Sequence, residues 1–232
     1  MKKTLLSALC LLCVVAAWAQ KPVGQLSFIP RVGLNLSNLG DMDFHYFTSG
    51  SDIEKKHKSK SRPDFMLGAD MEYQVMKPLA VSLGAYYSRQ GCRWATLYTH
   101  NSKESETGWE DMFIKLPYLN VPVTARLYIN DYISFVAGVQ CGVYLGGGRL
   151  EYTSTDIIVD PKSGERKLSK TEGHSDKMNN MKPVVMSIPF GVAVEYEHVI
   201  IDARYNMPMT KFNKMFSNGG NQVLTFSVGY RL

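Results

Sequence analysis

Beyond residue 19 the 232-residue chain has no apolar run approaching the ~18 residues that a membrane helix requires, which excludes a helical span there. Cysteine is equally scarce. Of four, Cys10 and Cys13 fall in the N-terminal segment, and Cys92 and Cys141 alone remain beyond it, too few for a disulfide-stapled scaffold. An excess of one charge is missing as well: the formal +5 drops to +3 without Lys2 and Lys3, so no broad field marks a nucleic-acid binder. No segment repeats at a solenoid period.

The N-terminus has Lys2 and Lys3, then an apolar run from Leu5 to Val15 broken only by Ser7, then Ala17-Trp18-Ala19. This is the pattern of a secretory signal peptide, so residues 1–19 are expected to be cleaved, leaving one domain over 20–232. Leu9 and Leu12 precede the two early cysteines, where lipoprotein processing requires a small residue.

The remainder alternates apolar and polar residues with period two, the pattern of strands. Pro30, Val32, Leu34 and Leu36 oppose Arg31, Gly33, Asn35 and Ser37; Leu67, Ala69, Met71, Tyr73 and Val75 oppose Gly68, Asp70, Glu72 and Gln74. Six further runs follow, centred on Val81–Ser88, Leu119–Leu127, Ser134–Leu145, Met186–Glu195, Val199–Met207 and Leu224–Leu232, with Val136 an exception to the phase in the fifth run. The connections alternate too. Met76-Lys77-Pro78, Asn130-Asp131 and Tyr196-Glu197-His198 read as tight turns, whereas 38–62, 92–114, 147–182 and 208–221 read as long polar loops. Asp160-Pro161-Lys162-Ser163-Gly164 is a turn signal that would let the fifth and sixth strands continue above the membrane as a hairpin.

The fold these features predict is all-β: an eight-stranded antiparallel up-and-down transmembrane barrel with short periplasmic turns, long outer loops and both termini periplasmic. A soluble barrel with an apolar cavity would show the same alternation. The composition of the polar face separates the two. It is rich in Gly, Ser, Asn and Gln, has no Lys, and sets Arg31, Arg126, Arg204 and Arg231 against Asp70, Glu72, Glu195 and Asp202. Balanced ions and small residues suit an enclosed lumen that side chains just fill. Tyr73, Tyr87, Tyr205 and Tyr230 near strand ends on the apolar face suit an interfacial girdle. In this register Cys92 faces the lumen and Cys141 the lipid, two strands apart and beyond the ~7 Å Cα reach of a disulfide, so none is expected.

Tyr86-Tyr87-Ser88-Arg89-Gln90-Gly91, Tyr118-Leu119-Asn120-Val121-Pro122-Val123 and Asp202-Ala203-Arg204-Tyr205-Asn206, in this order and spacing, resemble recurring segments of the PorT-like outer-membrane β-barrel family of Bacteroidetes. The resemblance runs from about Ser27 to Leu232. It implies an outer-membrane barrel in a Gram-negative envelope but no reaction. The name-giving member takes part in protein secretion across the outer membrane, so an accessory role in such an apparatus is the alternative it brings.

Candidate site residues fall into two groups. Arg31, Asp70, Glu72, Arg126, Glu195, Asp202 and Arg204 form an expected lumenal salt-bridge cluster, read as a plug in preference to an ion path or a carboxylate acid/base pair at Asp70 and Glu72. Lys55, Lys56, Lys58, Lys60 and Arg62 form a basic outer loop suited to outer-membrane lipid and lipopolysaccharide. No activated nucleophile is spaced for catalysis: His45, His57, His100 and His174 fall in expected outer loops, His198 in a turn. Asp156, Asp160, Glu165, Glu172, His174 and Asp176 lack calcium-loop spacing, and Gly146-Gly147-Gly148 is followed by no Lys-Ser/Thr pair of a phosphate loop. The expected function is therefore non-enzymatic, with no catalytic residues, metal, cofactor or nucleic acid. Surface binding or envelope organisation through the outer loops comes first, secretion accessory second, a small-solute pore third.

Overall fold

Period-two alternation gives the sheet one polar and one apolar face, and here the sheet closes on itself. A computed structural model describes residues 22–40, 59–102, 105–159, 166–176, 181–212 and 220–232. In chain order its strands are β1 (Leu26–Asn38), β2 (Ser59–Met76), β3 (Leu79–Trp94), β4 (Leu97–Ser102), β5 (Ser105–Tyr128), β6 (Ile133–Tyr144), β7 (Arg149–Val159), β8 (Arg166–Ser175), β9 (Val184–Tyr196), β10 (Val199–Pro208) and β11 (Gln222–Tyr230). Eight of them pair in the cycle β1–β2–β3–β5–β6–β9–β10–β11, every pair antiparallel. The ring shuts between β1 and β11, from Arg31↔Gly229 to Asn38↔Gln222. Closure gives each backbone N–H and C=O in the wall a partner, the condition for crossing hydrocarbon with strands.

Burial is inverted relative to a water-soluble domain. Val32 (57%), Leu34 (60%), Leu67 (55%) and Leu83 (54%) are exposed, while Arg31 (1%), Asp70 (1%) and Arg126 (1%) are buried. Along β1 the outward set runs from Leu26 through Phe28, Pro30, Val32 and Leu34 to Leu36. At ~3.3 Å per residue and a tilt of ~40° this makes a belt ~25 Å tall, the height of an outer-membrane apolar band. Tyr73, Tyr196, Tyr132 and Tyr230 ring one end of the belt; Tyr87 and Tyr205 face outward near the other.

The periplasmic end carries the start of β1, the end of β11 and the three short turns at 77–78, 129–132 and 197–198. Asn130 Oδ1 accepts bonds from the Tyr132 and Ile133 amides at 2.9 and 2.7 Å, and Glu197 takes a left-handed φ of 54° in a two-residue turn. Glycines in the wall permit close strand approach: a Cβ at Gly68 or Gly138 would collide with the carbonyl oxygen of Ala85 or Val123 on the neighbouring strand.

One expected loop is strands, and another holds the hairpin that the Asp160–Gly164 turn signal leads one to expect, residues 160–165 themselves lying outside the described residues. Segment 92–114 is the top of β3, β4 and the first part of β5; segment 147–182 contains β7 and β8. β7 takes up the pairing with β5 where β6 leaves it, Tyr118↔Tyr144 giving way to Lys115↔Arg149. The break is made at Gly146 and Gly147, with φ of 81° and 67°. Hairpin β7–β8 is thus the upward continuation of β6 and β9. Together with β4 and the first part of β5 it forms a four-stranded sheet, β4–β5–β7–β8, beyond the outer girdle.

Candidate functional site

The lumen is filled in layers. Nearest the periplasm, Glu72 on β2 receives Arg126 Nε at 2.9 Å, Arg231 Nη2 at 2.8 Å and the Tyr128 hydroxyl at 2.9 Å. Arg231 also donates to Glu195 Oε1 at 2.7 Å and Oε2 at 3.0 Å. Two residues further up the same face, Asp70 accepts Arg31 Nε at 2.7 Å, and Asp202 accepts Arg204 Nη2 at 2.8 Å. Longer ion pairs tie the groups together, Arg31–Asp202 at 3.8 Å, Arg204–Asp70 at 3.9 Å and Arg126–Asp202 at 4.0 Å. All seven cluster residues therefore meet in one network. Asp70 and Glu72, adjacent on one face, have separate cationic partners and do not share a proton-transfer geometry. Ile29, Val136, Ala193 and Ile200 make a small apolar patch beside them, which accounts for the phase break at Val136.

The middle layer is neutral and polar. Asn120 donates to Ser88 at 2.7 Å, Thr225 to Asn35 at 2.8 Å, and Asn221 to Gln90. A cavity of about 30 Å³, room for roughly two waters, lies among Arg31, Asn35, Tyr86, Asn120, Arg204 and Thr225.

The outer mouth is capped by an apolar core of Leu39, Cys92, Trp94, Met112, Ile114, Leu116, Tyr118 and Phe212, with Trp109, Leu150 and Tyr152 packed against it. Above the membrane the chain meets water again, so the facing rule reverses. On β5 the inward side passes from Asn120 to Leu116, Ile114 and Met112, and the outward side from Leu119 to Lys115 and Asp111. Cys92 lies on β3 beyond Tyr87, above the girdle, and burial there pushes its thiol up to about 12. Cys92 and Cys141 are both free thiols, with β5 between their strands.

Of the basic outer-loop residues, Lys55, Lys56 and Lys58 lie outside the described residues. Lys60 and Arg62 belong to β2, not to a loop; Arg62 Nη1 is 2.6 Å from Asp64. His45 and His57 also lie outside the described residues. His100 and His174 sit on strands β4 and β8, not in loops, because both expected loops are hairpins; His174 Nε2 is 3.9 Å from Asp176. Asp156 on β7 accepts Thr107 at 3.0 Å.

Two members of the network, Arg231 and Tyr128, and the whole of the cap stand outside the cluster expected from the sequence. Arg231 counts in the charge balance of the polar face but stands two residues from the C-terminus, past the last strand, and was not assigned to the cluster. Tyr128 ends the fourth alternating run in the lumenal phase, a signal that was available. The cap left no such signal, because its residues come from segments whose alternation is inverted.

The sequence matches the family described as "Outer membrane protein beta-barrel domain" over residues 18–214. No curated protein matches it significantly in sequence. Among solved structures it is similar to Ail, the attachment invasion locus protein of Yersinia pestis, at 16% identity and a TM-score of 0.41, covering 91% of this chain and 100% of that one. The translocator domain of the autotransporter NalP from Neisseria meningitidis is similar at 9% identity and a TM-score of 0.29, covering 99% and 96%. A COG4313 outer membrane channel from Pseudomonas putida F1 is similar at 11% identity and a TM-score of 0.30, covering 93% and 98%. With its sequence matched from residue 18 to 214 and its strands shut into a ring, the chain belongs to the outer membrane protein beta-barrel domain family.

Proposed function

We propose that this outer-membrane barrel is plugged and non-enzymatic, and that it works as a surface-binding or envelope-organising protein through the sheet β4–β5–β7–β8. The observation carrying this reading is the combination of a lumen filled at two levels, by the ion network and by the apolar cap, with strands that run well past the lipid belt. β5 has 24 residues where a tilted membrane strand needs ~10, so most of its length serves something other than crossing. The filled lumen also argues against a small-solute pore. In this reading residues 1–19 are removed on export, 20–232 form the mature protein, and no cofactor or nucleic acid takes part. The PorT-like segments support an accessory role in a secretion apparatus as the second reading.

The test is an affinity pull-down of the tagged protein from detergent-solubilised outer membranes, beside a variant in which residues 149–175 are replaced by an Asn-Gly turn. Partners captured by the intact protein and lost from the variant are the expected result. Identical recoveries from both would contradict it. Stoichiometric recovery of secretion components would select the second reading.

A further inference from the structure

Outward-facing cations gather just above the girdle on β2, β3 and β5. The register places Lys60 opposite Arg93, and Arg93 opposite Phe113. Lys115 lies one outward position below Phe113 on β5, and Arg89 one above Tyr87 on β3. The Phe113 ring has the Arg62 guanidinium 5.1 Å from its centroid and the Lys115 ammonium at 4.8 Å; Arg89 stands over Phe65 at 5.5 Å. Aromatic rings thus hold three cations in place within reach of the lipid surface.

The acids on this face do not balance them. Asp64 takes Arg62 at 2.6 Å and Arg89 at 3.8 Å, and Glu151 takes Lys115 at 2.7 Å. Asp64 is nearly buried, at 7% side-chain exposure, so its charge sits behind the cations, not among them. Arg93 and Lys60 are exposed and have no ion-pair partner among the described residues. Like charges directly opposed across two strands are destabilising, and an external anion would relieve them. Five cations, Arg62 the least exposed of them at 15%, against three acids, Asp64, Glu151 and the outward Asp111, leave a positive excess at the level where hydrocarbon ends, which matches the phosphates of an outer-leaflet lipid better than a ligand arriving from above.

We propose that Arg89, Arg93 and Lys115, with Lys60 and Arg62, form a docking site for the phosphate groups of a phosphorylated outer-leaflet glycolipid. Its acyl chains lie along the belt below, against Tyr87, Leu119 and Phe65, and its phosphates reach the cations above. This deepens the expected contact with outer-membrane lipid and rests on the reading of the chain as an outer-membrane barrel with its short turns at the periplasmic end. It moves the contact from a basic loop to a built face of the barrel wall.

The experiment titrates the full-length protein in detergent with bis-phosphorylated lipid A and, separately, with phosphatase-treated lipid A, scoring adducts by native mass spectrometry. The R89Q/R93Q/K115Q variant should bind lipid A about 100-fold more weakly, the sum of three basic contacts. The dephosphorylated lipid should bind wild type about as weakly. Equal binding by the variant, or of the dephosphorylated lipid, overturns the proposal, as does salt-insensitive self-association of this face. Arg93→Gln alone breaks no hydrogen bond or ion pair among the described residues; it keeps the test decisive if the triple variant fails to fold, with about a five-fold loss expected. Partner capture by the hairpin is scored separately, so either reading can fail while the other stands.

Discussion

At the scale of single residues, the lumen is held by pairing and not by hydrophobic burial. A buried ion pair is weak evidence of net stabilisation, since apolar replacements of the same volume often do as well. Removing one partner is different, because the remaining charge is stranded. Arg204 has Asp202 at 2.7 Å and Asp70 at 3.9 Å, all almost fully buried. Arg204→Ala should therefore lower the unfolding free energy by about 3–5 kcal/mol, measured by urea titration in micelles. An unchanged midpoint would mean that the acids are neutralised another way. Cys92 gives a second check: enclosed in the apolar cap with its thiol pushed up to about 12, it should resist maleimide at pH 7 in the folded barrel and react once unfolded. Rapid native labelling would show that the cap opens.

At the scale of elements, the long strands carry two opposite patterns in one continuous ladder. β5 faces lipid with Leu127, Ala125, Val123 and Leu119 and then, beyond Pro117, turns its apolar residues inward. The switch has a plain cause, the change of solvent from hydrocarbon to water. It also explains why the membrane part was legible in the sequence, and the hairpin in 147–182 through its turn signal, while the extension through 92–114 was not. Eight alternating runs and three tight turns could be read directly because one facing rule holds throughout the belt. Segment 92–114 breaks that rule by inversion, and its charges suggest a loop although the period of two persists.

Phe212, wholly buried, reaches the cap from the β10–β11 connection. Phe212→Ala should destabilise the cap by about 3–5 kcal/mol while leaving the membrane strands formed. Hydrogen exchange should rise at Ile114 and Leu116 and stay low at Val123 and Ala125. Uniform acceleration through the whole of β5 would show instead that cap and barrel unfold as one unit.

At the scale of the whole molecule, closure and filling decide what the barrel can do. The charged set Arg31, Asp70, Glu72, Arg126, Glu195, Asp202 and Arg204 was readable because each residue sits in phase on a strand. Arg231, in phase on the last alternating run and part of the lumenal charge balance, was equally readable; the apolar cap was not, since it is assembled from four separated parts of the chain. Eight strands leave an interior that side chains just fill, so a continuous water path would require the network and the cap to be open together. The central claim is that they are not, and that the outer sheet does the work. Reconstitution of the purified, folded barrel in planar bilayers at 1 M KCl tests this most directly, with the heat-induced shift in gel mobility confirming the fold. The account predicts a silent baseline for the wild type, with steps appearing only when the lumen and the cap are both weakened, as in Arg204→Ala combined with Phe212→Ala. Regular conductance steps from the wild-type protein would contradict it and make the lumen, not the outer sheet, the place where this protein acts.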